Sequence, residues 1–414
     1  MKTIAETRND MKRIGRNLKY WMIAAVLGLM PGTTSQVSAK PLKVFVLAGQ
    51  SNMQGHVNVS TFDSLGDDPK TAPILKEMRK VDGAPRVCSK VWISSIGCAD
   101  GDTTEQIGKV TAGFGASINE IGPEFTFGIY MEKLLQEPVL IIKTSWGGKS
   151  LHTDFRPPSA GPYVWSDFEL ARCKQRGDNL EQNKTDKVKA TGLYYRLMIE
   201  HVRKVLGDIK RVVPEYDPQQ GFELAGFVWF QGFNDLVSDW TYDKGNQPGG
   251  YDLYGQLLAQ FIHDVRKDLS APKMPFVIGV MGIGGLKEDQ GSGRQRYFRQ
   301  AQVAPVSLPE FKGNVVAVQT APFWDDELEA LQTRMDACWP KVDARVAAEK
   351  DTSWENKMKV MAENFKPDEW KRLRAGASNG GYHYLGAAKI MAPIGKAFAE
   401  AVANFQKTPG NGQP

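Results

Sequence analysis

Apolar positions in this chain fall in two kinds of block. Short continuous apolar runs occupy residues 44–47, 139–142, 224–230, 276–280 and 315–318. Runs of that length with no polar alternation predict strands buried on both faces. Between them the apolar residues recur every three or four positions. That spacing predicts helices over residues 125–135, after the Gly122-Pro123-Glu124 start, and over 193–206, 254–269 and 384–405. Buried strands alternating with amphipathic helices predict a three-layer α/β/α sandwich around a mainly parallel, five-stranded sheet. Residues 55–121 and 148–188 break the rhythm and read as long loops. In open α/β sheets, loops at the carboxyl ends of the strands shape the site.

The ends have other patterns. Residues 1–19 carry six basic and two acidic side chains, an apolar run covers 20–30, and a small-residue stretch ends at Val37-Ser38-Ala39. This is the layout of an export signal, with cleavage expected after Ala39 and a secreted or periplasmic destination. The apolar run is far short of the ~20 residues that span a bilayer, so no stable membrane insertion of the mature chain is expected. One domain is expected over residues 40–405, and a disordered tail over 406–414.

Composition narrows the function classes. The chain has 414 residues, 42% hydrophobic and 24% charged, which is ordinary for a globular protein. Its net charge is +5, and the six basic and two acidic residues before Lys40 leave about +1 for the rest. With no basic run interleaved with aromatics, nucleic acid is not an expected partner. Cys88, Cys98, Cys173 and Cys338 form no CxxC, and no histidine stands at metal-ligand spacing from them, so no metal is expected. A local disulfide between Cys88 and Cys98, or four free thiols, are both compatible with this count.

Four segments carry candidate chemistry. Ser51 lies in Gly49-Gln50-Ser51-Asn52-Met53, just past the first strand, where a serine is presented at a sheet edge. Trp146-Gly147-Gly148-Lys149-Ser150 comes after the second strand, and glycine there lets a backbone N–H approach a bound oxygen. Gln231-Gly232-Phe233-Asn234-Asp235 comes after the third, where Asn234 can donate an amide to an oxyanion. His383 sits in a glycine-rich loop before the last helix, able to act as base and then acid. Of the other histidines, His201 and His263 fall within helical patterns, while His56 and His152 lie close to strand ends and compete for a site role.

These segments, in this order, resemble the four blocks of the SGNH hydrolases. Gly49-Gln50-Ser51-Asn52-Met53 is similar to the signature of the sialate O-acetylesterase-like carbohydrate esterases, and the likeness extends from about Val44 to Ala403. It implies an SGNH, flavodoxin-like fold and a serine esterase that removes O-acetyl groups from carbohydrate without a cofactor. It also implies Ser51 as nucleophile, His383 as base, and an oxyanion hole from the Ser51 N–H, the Gly148 N–H (or Gly147) and the Asn234 side chain. Two departures accompany it. An Asp expected three residues before the histidine is Gly380, and a Glu expected after Gln231-Gly232 is Phe233. Asp235, Asp154, Asp325 and Asp326 are then candidates for the third triad member, as is a backbone carbonyl in a Ser–His dyad. Gln50, Gln231, Trp146 and Arg156 are candidate substrate contacts, along with the aromatics Phe155, Phe233, Trp240 and Trp324.

The missing acid keeps open a carbohydrate-binding protein without turnover. A lipase or thioesterase is a further alternative, and would want an apolar acyl channel. Asp325-Asp326-Glu327 could suggest a glycosidase pair, but adjacent carboxylates rarely span a sugar. They suit the first turn of a helix better.

Overall fold

The computed structural model describes residues 40–98, 101–290 and 293–407. The expected export signal over residues 1–39 and the last seven residues lie outside the described residues. From Pro41 onward the chain forms one compact unit.

Its centre is a seven-stranded sheet. The strands are β1 (Leu42–Gly49), β2 (Val91–Ile96), β3 (Glu105–Lys109), β4 (Val139–Ser145), β5 (Phe222–Phe230), β6 (Phe276–Val280) and β7 (Val315–Gln319). Their order is β3-β2-β4-β1-β5-β6-β7, all parallel except the edge strand β3. The five expected strands are present, and two more come from the stretch read as loop. β2 was hidden because the polar Ser94 and Ser95 interrupt its apolar run, although both are fully buried. Ser94 Oγ donates to Glu105 Oε1 at 2.6 Å and lies 3.0 Å from His201 Nε2, so its polarity is satisfied inside the sheet. β3 is a polar, partly exposed edge strand, which the apolar criterion cannot see.

Alternate residues of the strands enter two separate cores, as the period of a strand requires. Val44, Val46, Leu140, Ile142, Phe227 and Trp229 face helices α1 (Leu193–Gly207), α2 (Asp252–Asp268) and α3 (Arg294–Val303). Phe45, Leu47, Ile141, Val228 and Phe230 face a second layer built from a helix over Pro123–Leu135 and the closing helix Ala388–Lys407. The closing helix reaches two residues into the expected tail. Its amino end begins later than the periodicity suggested, because Gly381–Gly386 forms a separate turn. A further helix, Asp326–Ala348, is capped by Asp325, which accepts from Leu328 N, and starts Asp-Glu-Leu-Glu. The acidic cluster is a helix start. Residues 148–188, also read as loop, contain the helix Asp167–Arg176 and most of the helix Leu180–Ala190.

Cys88 and Cys98 sit beyond opposite ends of β2. Six residues at ~3.3 Å each separate those ends by ~20 Å, well past the ~7 Å a disulfide tolerates. All four cysteines are free thiols, so the local staple is not formed. Among the described residues no helix is long and apolar enough to cross a membrane.

β1 lies between β4 and β5, with Gly49 level with Ser145 on one side and Phe230 on the other. Three strands therefore end side by side. The chain leaves β1 toward one face of the sheet and leaves β4 toward the other, which opens a crevice at their carboxyl ends.

Candidate active site

Ser51 is the first residue of a one-turn helix, Ser51–Gln54, directly after β1. A first-turn N–H has no intrahelical acceptor, so the Ser51 amide is left to bind something else. Glycine is required at position 49 because a Cβ would lie 2.1 Å from Phe230 O. That close approach brings the β5 end against the serine turn. Ser51 Oγ makes no hydrogen bond among the described residues, and the serine is 7% exposed.

Gln50 organises the Gln231–Asn234 segment. Its Oε1 accepts from the backbone N–H groups of Gly232 (3.0 Å) and Asn234 (3.3 Å) and from Gln231 Nε2 (3.1 Å). Backbone amides only donate, so the Gln50 oxygen must face them. Gln50 Nε2 then donates to Asn234 Oδ1 at 2.8 Å. Asn234 therefore presents its oxygen to Gln50 and keeps its amide N–H₂ for another acceptor. Gly148, at φ +72°, adopts a left-handed conformation in the turn that follows β4. Both Gly147 and Gly148 are exposed. Asp235 fastens that turn to the β5 end, accepting from Leu151 N (2.8 Å), His152 N (3.1 Å), Gln231 Nε2 (2.7 Å) and Tyr242 OH (3.1 Å). Burial pushes the Asp235 carboxyl up to about 6 against the pull of these four donors.

His383 is brought to the serine turn from two directions. Asn52 Nδ2 donates to Tyr382 O at 3.2 Å, and the His383 ring stacks on His56 with centroids 3.9 Å apart and planes 2° from parallel. The loop itself is held in a strained form, with Tyr384 and Leu385 at φ 53° and 61°. Tyr384 OH anchors it to the sheet, accepting from Gly282 N and pairing with Thr320 Oγ1, each at 2.8 Å. His383 Nδ1 lies 3.1 Å from Asn379 Oδ1, and that oxygen also accepts from Gly380 N at 2.8 Å. The Gly380 donor fixes the atom as oxygen, so Nδ1 carries the proton and Nε2 is left as a base. Burial first, then His56, lowers His383 to about 4.

The carboxylates considered for the position behind His383 are engaged elsewhere. Asp235 is enclosed by its four donors. Asp154 accepts from Ser150 N and Oγ. Asp325 caps its helix and pairs with Arg372 and Lys389, beside a cavity of about 810 Å³ also lined by Tyr130 and Trp324. Asp326 pairs with Lys287 on the protein surface. The residue facing Nδ1 is Asn379, which the motif pattern did not single out. The available signal was its place next to Gly380, the position where an acid was expected.

The residues considered for substrate contact are mostly turned inward. Gln50 and Gln231 are 1% and 3% exposed and support Asn234. Trp146 is buried, donating from Nε1 to Asp102 O. Arg156 is enclosed by the carbonyls of His152, Ala160 and Gly161, so its charge staples a loop. Phe155 is fully buried, and Trp240 is covered by Arg172 and Arg176. Of the aromatics, Phe233 is half-buried and packs near the exposed Tyr382, beside His383. His152 is buried with its Nδ1 on Thr153 Oγ1, away from this group.

A parallel-sheet crevice holding a serine turn, oriented amide donors and a histidine of fixed tautomer is the framework of an ester hydrolase. Residues 41–328 match the family described as carbohydrate esterase, sialic acid-specific acetylesterase. The chain belongs to that family and is a carboxylic ester hydrolase of the α/β type. The match ends before the His383 loop, whose place is given by its contacts with Asn52 and His56. Among solved structures the chain is similar to NanS, at 14% identity over 90% of this chain and 99% of that one, TM-score 0.42. It is also similar to a protein from Arabidopsis thaliana, at 18% over 68% and 86%, TM-score 0.37. A carbohydrate acetylesterase from Xanthomonas citri matches at 13% over 68% and 51%, TM-score 0.37. No curated protein matches.

Proposed function

We propose that the protein is an exported O-acetylesterase acting on acetylated carbohydrate by a Ser51–His383 acyl-transfer mechanism. The observation that carries this reading is the pairing of a base-ready His383 Nε2 with a free amide on Asn234 around one serine turn. His383 removes the Ser51 proton as Oγ attacks the acetyl carbonyl. The oxyanion is received by Ser51 N–H, Gly148 N–H and the Asn234 amide, and His383 protonates the departing sugar hydroxyl. Water then repeats the steps and releases acetate. Gly147 and Gly148, two and three residues past the β4 end that lies level with Gly49, are both exposed, which suits a small acyl group on a large alcohol. Export is supported by the basic, apolar and small-residue order of residues 1–39.

The test is acetate release from p-nitrophenyl acetate, O-acetylated neutral sugars and O-acetylated sialic acid, with Ser51→Ala as the control. Turnover of at least one sugar ester, absent from Ser51→Ala, is expected. Equal rates in the two proteins on every ester would sink the mechanism. An intact mass lacking residues 1–39 is expected for protein recovered outside the cytoplasm, and a full-length mass there would refute cleavage.

Asn379 gives a second check. An amide oxygen holds the tautomer but lacks the charge that stabilises imidazolium. Asn379→Ala is expected to lower kcat by ~10-fold or more, because His383 loses the acceptor that holds its tautomer and ring orientation. Asn379→Asp should keep turnover and move the acid limb of kcat/KM upward from about 4, because a carboxylate favours the protonated ring. An acid limb that stays in place in Asn379→Asp would show that Asn379 does not govern His383.

A further inference from the structure

His56 has no task in the Ser51–His383 mechanism. It stands five residues past Ser51, and its ring lies flat against His383, at 3.9 Å and 2° from parallel. Its Nε2 is buried with no hydrogen-bond partner. An unpartnered buried nitrogen is unfavourable, so the position is held by something other than a hydrogen bond to that nitrogen. The surroundings hold His56 firmly. Gly55, at φ 95°, packs so closely on Gly122 that a Cβ would stand 2.2 Å from its Cα. Beneath lies Lys143, whose ammonium donates to Gln54 O (2.8 Å), Phe114 O (2.6 Å) and Glu124 Oε2 (2.7 Å). His383, by contrast, stands on a loop, with Asn379 at its Nδ1 and the Tyr382 ring at its edge (4.4 Å, 65°). Among the described residues only His56 covers the ring face with a parallel plane.

We propose that His56 is a positioning residue for the esterase reaction: a rigid, neutral ring on which the His383 imidazole stands while it exchanges a proton with Ser51. This rests on the Ser51–His383 reading and deepens it. Stacking fixes the plane of the His383 ring, and therefore the direction of its Nε2 lone pair. Misplacing a reacting group by an ångström removes up to ~10²-fold in rate. Charge acts on the pair as well. Two parallel imidazoles in contact cannot both be cations without strong repulsion. The charge that acts on His56 is that of Lys143, itself paired with Glu124, and the titratable group in contact with its ring is His383. Lys143 and burial keep His56 neutral, its value lowered to about 4 with burial as the larger cause. In the Ser51–His383 reading the one proton that arrives during turnover goes to His383, the ring that takes it from the serine. Neutral His56 then offers it an aromatic face, which a cation accepts.

The experiment compares His56→Ala and His56→Phe in the full chain. Phenylalanine keeps a flat ring and does not titrate, whereas alanine removes the support. His56→Ala is expected to lose ~10- to 100-fold in kcat with KM changed little. His56→Phe should recover kcat to within a few-fold of wild type. In His56→Phe the acid limb of kcat/KM should also move to higher pH, since no second imidazole competes for charge. The same upward move is expected for the His383 ring followed by NMR in a Ser51→Ala background, which reads the titration without turnover. Wild-type kcat in His56→Ala overturns the proposal. So does a Phe variant as slow as the Ala variant while both melt like wild type, or a His383 titration unmoved in His56→Phe. If Ser51→Ala itself turns over at the wild-type rate, the underlying Ser51–His383 reading has failed instead.

Discussion

His383→Ala is expected to lower kcat by about 10⁴-fold, Ser51→Ala by as much, and the double substitution by no more than either alone. Two residues that act as one device lose their value together. Once the base is gone, Oγ stays protonated and a serine adds nothing; once Oγ is gone, the base has no proton to take. The residual rate would come from the Ser51 N–H, Gly148 and Asn234, none of which the substitutions remove. The structure motivates this prediction by bringing His383 to the serine turn through the Asn52–Tyr382 contact and the His56 stack, with Nε2 unprotonated. The check is kcat on one acetyl ester for the four proteins of the cycle. Losses that multiply in the double variant would mean the two residues act independently, and the shared mechanism would fall. Because burial and His56 lower His383 to about 4, the base is neutral above that value. The wild-type rate should therefore hold through weakly acidic solution and decline as pH approaches 4.

Features that depend on apolar continuity and on the order of short motifs were visible in the sequence. The parallel core strands announced themselves because both faces are buried, so no polar residue interrupts them. β2 did not, because Ser94 and Ser95 are buried with polar partners, and those of Ser94, on β3 and on the helix bearing His201, are distant in sequence. The helices at Asp167–Arg176 and Leu180–Ala190 are largely solvated and have almost no apolar stripe. Their only local signals were caps, the Ser166/Glu169 box and Asn179. The serine, glycine and asparagine blocks were legible because three adjacent parallel strands deliver the residues at their carboxyl ends to one edge. Asn379 was not, since its role depends on a loop folded back through left-handed Tyr384 and Leu385. Nothing in residue type foretells that conformation. Arg156 and Trp146 misled for a related reason: a charged or aromatic residue near a strand end can face the crevice or brace the loop beneath it. Only the carbonyls of Ala160 and Gly161, and of Asp102, show that both brace.

The same crevice rests on a buried ion pair, and breaking it should destabilise the whole protein. Lys143 and Glu124 are both fully buried, 2.7 Å apart. Lys143 Nζ also binds the carbonyls of Gln54 and Phe114, and Glu124 Oε1 accepts from Gly122 N at 2.9 Å. The lysine thus ties β4 to the end of the serine turn, and the glutamate ties that lysine to the start of the next helix. Lys143→Met leaves a carboxylate and two carbonyls without their donor, and is expected to destabilise by about 3–5 kcal/mol. Lys143→Met with Glu124→Leu should recover part of this, because the uncompensated charge is gone while the Gln54 and Phe114 carbonyls stay unpaired. Burial raises Glu124 above its ordinary value, and Lys143 pulls it back. In Lys143→Met the pull is lost, so the folded-state value rises further above the unfolded one. A raised carboxyl contributes its stability below the unfolded value and loses it as pH rises. The deficit of Lys143→Met relative to wild type should therefore be greatest at neutral pH and shrink as pH falls toward the ordinary glutamate range. Urea unfolding of the three proteins at several pH values measures it. A Lys143→Met protein as stable as wild type at neutral pH, or a deficit that grows on acidification, would show that this pair does not hold the serine turn to the sheet.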